Sequence, residues 1–80
     1  MKRIIWTERA KADVRRLEKP TAMRILATLH RCAETGVGDV KALQGRDELW
    51  LRIADYRLFF VATADAIEVR RVLHRGEAYR

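Results

Sequence analysis

Residues 49–60, LWLRIADYRLFF, constrain the fold more than any other part of the chain. Apolar and other residues alternate along both arms of this stretch, the period-two signature of a β-strand. In the first arm Leu49, Leu51 and Ile53 fall on one face, and Trp50, Arg52 and Ala54 on the other. In the second arm Leu58 and Phe60 face one way, and Arg57, Phe59 and Val61 the other. Between the arms, Ala54-Asp55-Tyr56 is a short polar break that suits a tight hairpin turn. Asp55 is its only good turn former and Gly is absent, so the turn type is not readable. A hairpin with one apolar face needs a layer to lie on. Its opposite face carries two arginines.

The chain ahead of the hairpin supplies that layer. Residues 2–6 read as a short strand, with Ile4 and Trp6 on one side and Ile5 on the other. Thr7 is placed to cap a helix starting at Glu8. Ala10, Val14 and Leu17 then form an apolar stripe, while Glu8, Lys11, Arg15 and Glu18 face water. Pro20 suits the first turn of a second helix and holds Lys19 extended, which ends the first. The second stripe is Ala22, Leu26, Leu29 and Ala33, widened by Met23, Ile25 and Cys32, and Gly36 stops it. So short a link predicts an antiparallel αα-hairpin. Residues 36–47 read as loop, with Val40 and Leu43 tacked to the core. A turn at 63–65 precedes a last strand over 67–73. Its alternation slips at Arg70-Arg71, which predicts a bulge or a strand covered on both faces.

The element order is β-α-α-β-β-β. The expected fold is α+β: an αα-hairpin packed on one face of a small, mainly antiparallel four-stranded sheet. Leu26, Leu29, Leu51, Ile53, Leu58, Phe60 and Val69 are the residues expected to be most buried. Eighty residues make one domain, 1–80, with a limited core. No apolar run approaches the roughly 20 residues that span a bilayer. The opening MKRIIWTERA lacks the long apolar segment of a signal peptide. Cys32 is alone, so no internal disulfide forms, and no Cys/His cluster points to a metal. A cytoplasmic protein without metal or cofactor is expected.

The net charge is +6 and the sequence pI about 10.2, the balance of many nucleic-acid-binding domains. Of 17 basic residues 13 are arginine, which suits bidentate contacts to phosphate and stacking on bases. A GC-rich genome gives the same bias. No Gly-rich phosphate loop or Ser/His/Asp spacing is present, and His30 reads as a surface residue of the second helix. Arg52 and Arg57 stand apart: they share one face of the hairpin with Trp50 and Phe59 beside them. As structure alone, they are a solvated face with arginine stems laid over aromatics. As function, they are guanidinium groups set to hold a phosphate beside a surface for a base. His74, Arg75, Tyr79 and Arg80 crowd the tail. Such groups suffice for RNA cleavage without a metal. The 2′-OH attacks, a side chain accepts its proton, and cations stabilise the phosphorane. A basic tail that frays is the alternative.

DYRLFF followed by HRGEAY resembles the closing half of the RelE/ParE superfamily of toxins from type II toxin–antitoxin systems, in its RelE-like branch. WTERAKADVRRLEKP before an αα-hairpin, and KALQG before the β-hairpin, extend the resemblance over essentially the whole chain. The resemblance implies a ribosome-dependent mRNA endoribonuclease that acts without a metal and is neutralised by a cognate antitoxin. It makes Arg57 and Arg75 the residues that stabilise the phosphorane. Tyr79 or His74 handles protons, and Arg52 matches a basic residue of the preceding strand; Lys41 and Arg80 are further residues expected to hold RNA. Trp50, Ala54 and Phe60 depart from the pattern, standing where a basic residue, a turn glycine and a tyrosine are frequent. The ParE branch implies instead inhibition of DNA gyrase without cleavage, and a third option is an inactive member that only binds its antitoxin.

Overall fold

The computed structural model describes residues 2–43, 45 and 47–78. Its elements are β1 (Arg3–Trp6), α1 (Glu8–Arg15), α2 (Lys19–Thr35), β2 (Val40–Ala42), β3 (Leu49–Ile53), β4 (Tyr56–Ala62), β5 (Ala66–His74) and α3 (Arg75–Ala78). The five strands form one sheet in the order β1-β5-β4-β3-β2. β1 runs parallel to β5 and the other pairs are antiparallel. The α+β architecture is as expected, but the sheet has a fifth strand. β2 lies within the stretch read as loop, because three residues exposed on both faces carry no periodic signal. Val40 pairs with Leu51 through the backbone yet is 36% exposed, so it is not tacked to the core.

The strand phase follows the alternation. Leu51, Ile53, Leu58 and Phe60 are buried, and they meet Val69 and Val72 of β5 on the face covered by the helices. Ile25, Leu29 and Ala33 of α2 and Ala10 of α1 close the core over them. Leu26, expected to be buried, is only half-buried; Ile25 takes its place. Both residues belong to the helical stripe, and the angle at which α2 meets the sheet selects between them. The Thr7 hydroxyl accepts from the Ala10 N–H at 3.2 Å and so caps α1. Gly36 ends α2 with φ of 77°, a left-handed conformation that glycine adopts freely. Glu18, not Lys19, is the extended residue between the helices. Lys19 and Pro20 both lie in the first turn of α2, where backbone N–H groups have no helical partner to lose.

The hairpin turn consists of Ala54 and Asp55 between the paired Ile53 and Tyr56. Ala54 has φ of 53°, the one positive value at a non-glycine position among the described residues. Cβ crowding makes that conformation cost about 1–2 kcal/mol for an L-residue. Ala54→Gly is therefore expected to stabilise the fold by about 0.5–1 kcal/mol, after the greater freedom of glycine in the unfolded chain is subtracted. The midpoint of urea unfolding measures it. A lower midpoint for the variant would mean that this turn carries no strain.

Candidate functional site

The register of the hairpin assembles one face of the sheet. Lys41 pairs with Trp50, and Trp50 with Phe59. One row along, Arg52 pairs with Arg57, and Arg57 with Leu73. Since side chains of directly opposed residues leave a sheet on the same side, Lys41, Arg52 and Arg57 share the face turned away from α1 and α2 with Trp50 and Phe59. Lys41 and Arg52 are exposed, while Trp50, Arg57 and Phe59 are half-buried. The Arg57 guanidinium carbon lies 4.1 Å from the centroid of the Trp50 ring. That stack fixes the guanidinium plane and offsets part of the entropy lost in ordering a long side chain. Guanidinium charge and aromatic surface thus lie side by side. Farther along the same face Val61 pairs with Glu68, and Asp47, Glu48, Val61 and Arg70 line a shallow cavity, so the basic character belongs to the Arg52–Arg57 end.

The end of β5 brings the C-terminal segment to the hairpin turn. The Arg75 N–H donates to the Asp55 carbonyl at 2.7 Å. Arg75–Ala78 then forms the single turn α3, and Ala78 lines a cavity of about 180 Å³ with Leu43, Trp50, Arg57 and Phe59. His74 stands at the head of this turn. Its Nδ1 accepts from the Gly76 N–H at 3.3 Å, and the Glu77 carboxylate accepts from the His74 N–H at 3.2 Å. The two bonds form a reciprocal cap on the turn. His74 opposes Tyr56, whereas Arg57 opposes Leu73, so the His74 and Arg57 side chains leave opposite faces of the sheet. The imidazole meets the Tyr56 ring edge-on at 5.4 Å between centroids. The structure therefore gathers Lys41, Arg52 and Arg57 on one face and brings the Arg75 backbone to the adjoining turn. It does not bring the His74 side chain to that face. Tyr79 and Arg80 lie outside the described residues.

A second cluster escaped the sequence reading. Asp13 of α1 is 5% exposed. Its carboxylate accepts from Arg71 Nε at 2.8 Å, from Arg71 Nη2 at 3.1 Å and from the Val72 N–H at 2.9 Å. The backbone bond explains the burial. β1 pairs with β5 only as far as Val69, so the edge of β5 beyond it is uncovered, and Asp13 serves Val72 there in place of a strand. The predicted irregularity lies beside it. Phe59 pairs with Arg71 and Phe60 with Val69, which leaves Arg70 as the extra residue of a bulge. Thr7 Oγ1 donates to the Arg70 carbonyl at 3.2 Å and ties the helix start to that bulge. Burial by itself would push the Asp13 carboxyl up. The hydrogen bonds from Arg71 and Val72 and the charges of Arg71 and Arg16 outweigh it, and hold the carboxyl below its usual range. An aspartate three residues after Ala10 on an apolar stripe was the available signal, but its partner is 58 residues away in sequence.

Among the described residues no group of three or more His, Cys, Asp or Glu side chains is placed to hold a metal ion, and no helix is long and apolar enough to cross a membrane.

The sequence matches a family model described as the ParE toxin of type II toxin–antitoxin systems, parDE, over residues 4–79. No match is found among curated proteins. Solved structures match throughout the fold. The RelB–RelE antitoxin–toxin complex from Methanococcus jannaschii is 22% identical with a TM-score of 0.77, covering 94% of each chain. The archaeal RelE–RelB complex from Pyrococcus horikoshii OT3 is 21% identical with a TM-score of 0.79, covering 94% of this chain and 96% of that one. An E. coli YafQ mutant is 12% identical with a TM-score of 0.75, covering the whole of both chains. At these identities the likeness is one of fold.

Proposed function

We propose that this chain, which belongs to the ParE toxin family of type II toxin–antitoxin systems, is a ribosome-dependent mRNA endoribonuclease that acts through the face bearing Arg52 and Arg57. The observation that carries the reading is the stack of Arg57 on Trp50, 4.1 Å from the ring centroid, directly across the hairpin from Arg52. A guanidinium held in one plane is ready for charge that develops on a phosphate, and pays little reorganisation at the moment of reaction. The 2′-OH of the RNA attacks the adjacent phosphorus, and the bond to the 5′-oxygen of the next nucleotide breaks. A 2′,3′-cyclic phosphate and a 5′-OH end result. Arg57 and Arg75 stabilise the phosphorane, Lys41 and Arg52 hold flanking phosphates, and Phe59 offers a ring on which a base stacks. The His74 ring is engaged in capping α3 and lies against Tyr56, which supports Tyr79 as the proton acceptor. A cognate antitoxin completes the reading, in line with the RelB–RelE complexes that share the fold.

A second reading, inhibition of DNA gyrase without cleavage, is favoured by one observation: the matching family model is that of ParE itself. Induced expression in cells followed by mapping of mRNA 5′ ends separates the two. The nuclease reading expects breaks phased to codons in translated messages. Intact messages with arrested replication would overturn it in favour of the gyrase reading.

A further inference from the structure

α3 is a single turn, and none of Arg75–Ala78 is buried. A turn of that length has little stability of its own, because fixing the first turn of a helix costs more than its hydrogen bond returns. It stands because its neighbours hold it. The Arg75 N–H is tied to the Asp55 carbonyl at 2.7 Å. Glu77 Oε1 accepts from the backbone N–H of His74 at 3.2 Å, and Glu77 Oε2 lies 3.9 Å from Nη2 of Arg16. Arg16 is the C-cap of α1 and lies 4.0 Å from the Asp13 carboxylate, which in turn grips Arg71 and the Val72 N–H of β5. Polar contacts therefore run from β5 through Asp13 and Arg16 to Glu77. The buried carboxylate anchors the end of α1, and Glu77 extends that anchorage to α3.

We infer that Glu77 is a positioning residue, which together with Arg16 holds α3 against the face bearing Arg57 and so fixes the place of Arg75. The core has no use for this turn, since the Arg16 and Glu77 side chains are 67% and 50% exposed and α3 buries nothing. What the turn carries is Arg75 at its start and Ala78 at its end, where Ala78 lines one cavity with Trp50, Arg57 and Phe59. An arginine aimed at transition-state charge is effective only if its place is set before the reaction. The two carboxylate oxygens of Glu77 divide that task. One holds the chain that enters the turn and the other faces α1, so a shift of α3 breaks both contacts together. The bond to His74 is made with its backbone and survives replacement of the imidazole. The inference rests on the nuclease reading and adds a residue to the same site.

The test is single-turnover cleavage of mRNA on programmed ribosomes at varied ribosome concentration, with the urea midpoint of each variant measured beside it. Glu77→Ala is expected to cut the saturating rate about fivefold or more, since a charge-assisted bond and an ion pair are lost together. The half-saturating ribosome concentration should hardly move, because Lys41, Arg52 and Arg57 keep their places on the sheet. Glu77→Gln keeps an acceptor for the His74 N–H and should fall between the parent and the alanine variant. Arg16→Ala should slow the same step about twofold, the scale of an exposed pair. Combined with Glu77→Ala it should add nothing, because two residues that act through one contact are not additive. Urea midpoints should stay close to the parent's. In the NMR spectrum of the full ¹⁵N-labelled chain, Glu77→Ala should also move the Trp50 indole N–H, which shares the cavity with Ala78. A saturating rate equal to the parent's, additive losses in the double variant or an unmoved Trp50 indole would each overturn the inference. So would a rate loss that comes with a large fall in the urea midpoint, the mark of a merely structural role. A parent that leaves ribosome-bound mRNA intact would remove the nuclease reading and this inference with it. A parent and a Glu77→Ala variant that cleave equally fast would remove this inference alone.

Discussion

Replacing Arg57 with alanine is expected to slow cleavage of ribosome-bound mRNA by about 100-fold or more, the usual consequence of deleting one donor aimed at transition-state charge. On the nuclease reading, affinity for the ribosome should fall far less, because Lys41, Arg52 and the other arginines remain to contact phosphate. Arg57→Lys keeps the charge but loses the planar fork and the stack on Trp50, and is expected to fall between the parent and the alanine variant. Trp50→Leu leaves Arg57 in place but releases its guanidinium plane, and should cost less than Arg57→Ala. Single-turnover cleavage on programmed ribosomes, with binding measured separately, gives both quantities. Tyr79→Phe in the same assay should be as damaging as Arg57→Ala if its hydroxyl accepts the proton. His74→Gln should cleave nearly normally, since the His74 ring leaves the other face of the sheet. An Arg57→Ala protein as toxic as the parent at equal expression would remove the nuclease site from this face and favour the gyrase reading.

Asp13→Ala is expected to destabilise the fold by about 3 kcal/mol, the lower end for breaking a buried ion pair. The lower end applies because the Arg71 side chain is 30% exposed and regains some hydration. The loss has two sources: the Val72 N–H is left without its acceptor at the edge of β5, and Arg71 without its bidentate partner. Urea unfolding at neutral pH measures it, and a loss below about 1 kcal/mol would show that the clasp is no more than a surface pair. The same residue sets a pH dependence. Its folded carboxyl lies below the usual aspartate value of about 3.9. The stabilisation is therefore full above that unfolded value and is lost as pH falls through the folded one. Asp13→Asn cannot titrate, so the stability difference between parent and variant should shrink on acidification below about pH 4. A difference that stays constant through that range would mean that Asp13 gains nothing from its charge.

What could be read from the sequence was whatever repeats locally. Alternation over residues 49–60 placed Leu51 and Leu58 inside and Arg52 outside, because a one-residue slip would invert every side chain of the hairpin. Thr7 and Gly36 marked helix ends because capping is settled within a turn of backbone. The same parity put Arg52 and Arg57 on one face before any fold was known. Tertiary structure decided what depends on distant partners. β2 exists only because β3 offers its edge to three residues with no pattern of their own. Ile25 rather than Leu26 became core through the setting of α2 on the sheet. The bulge at Arg70 set the parity that keeps the His74 side chain off the face that Arg57 occupies, and the open edge of β5 beyond Val69 lets Arg71 meet Asp13. A sequence exposes periodicity because periodicity comes from backbone geometry within a few residues. Which carboxylate meets which N–H across 59 positions is set by how the finished layers pack, and no local pattern encodes it.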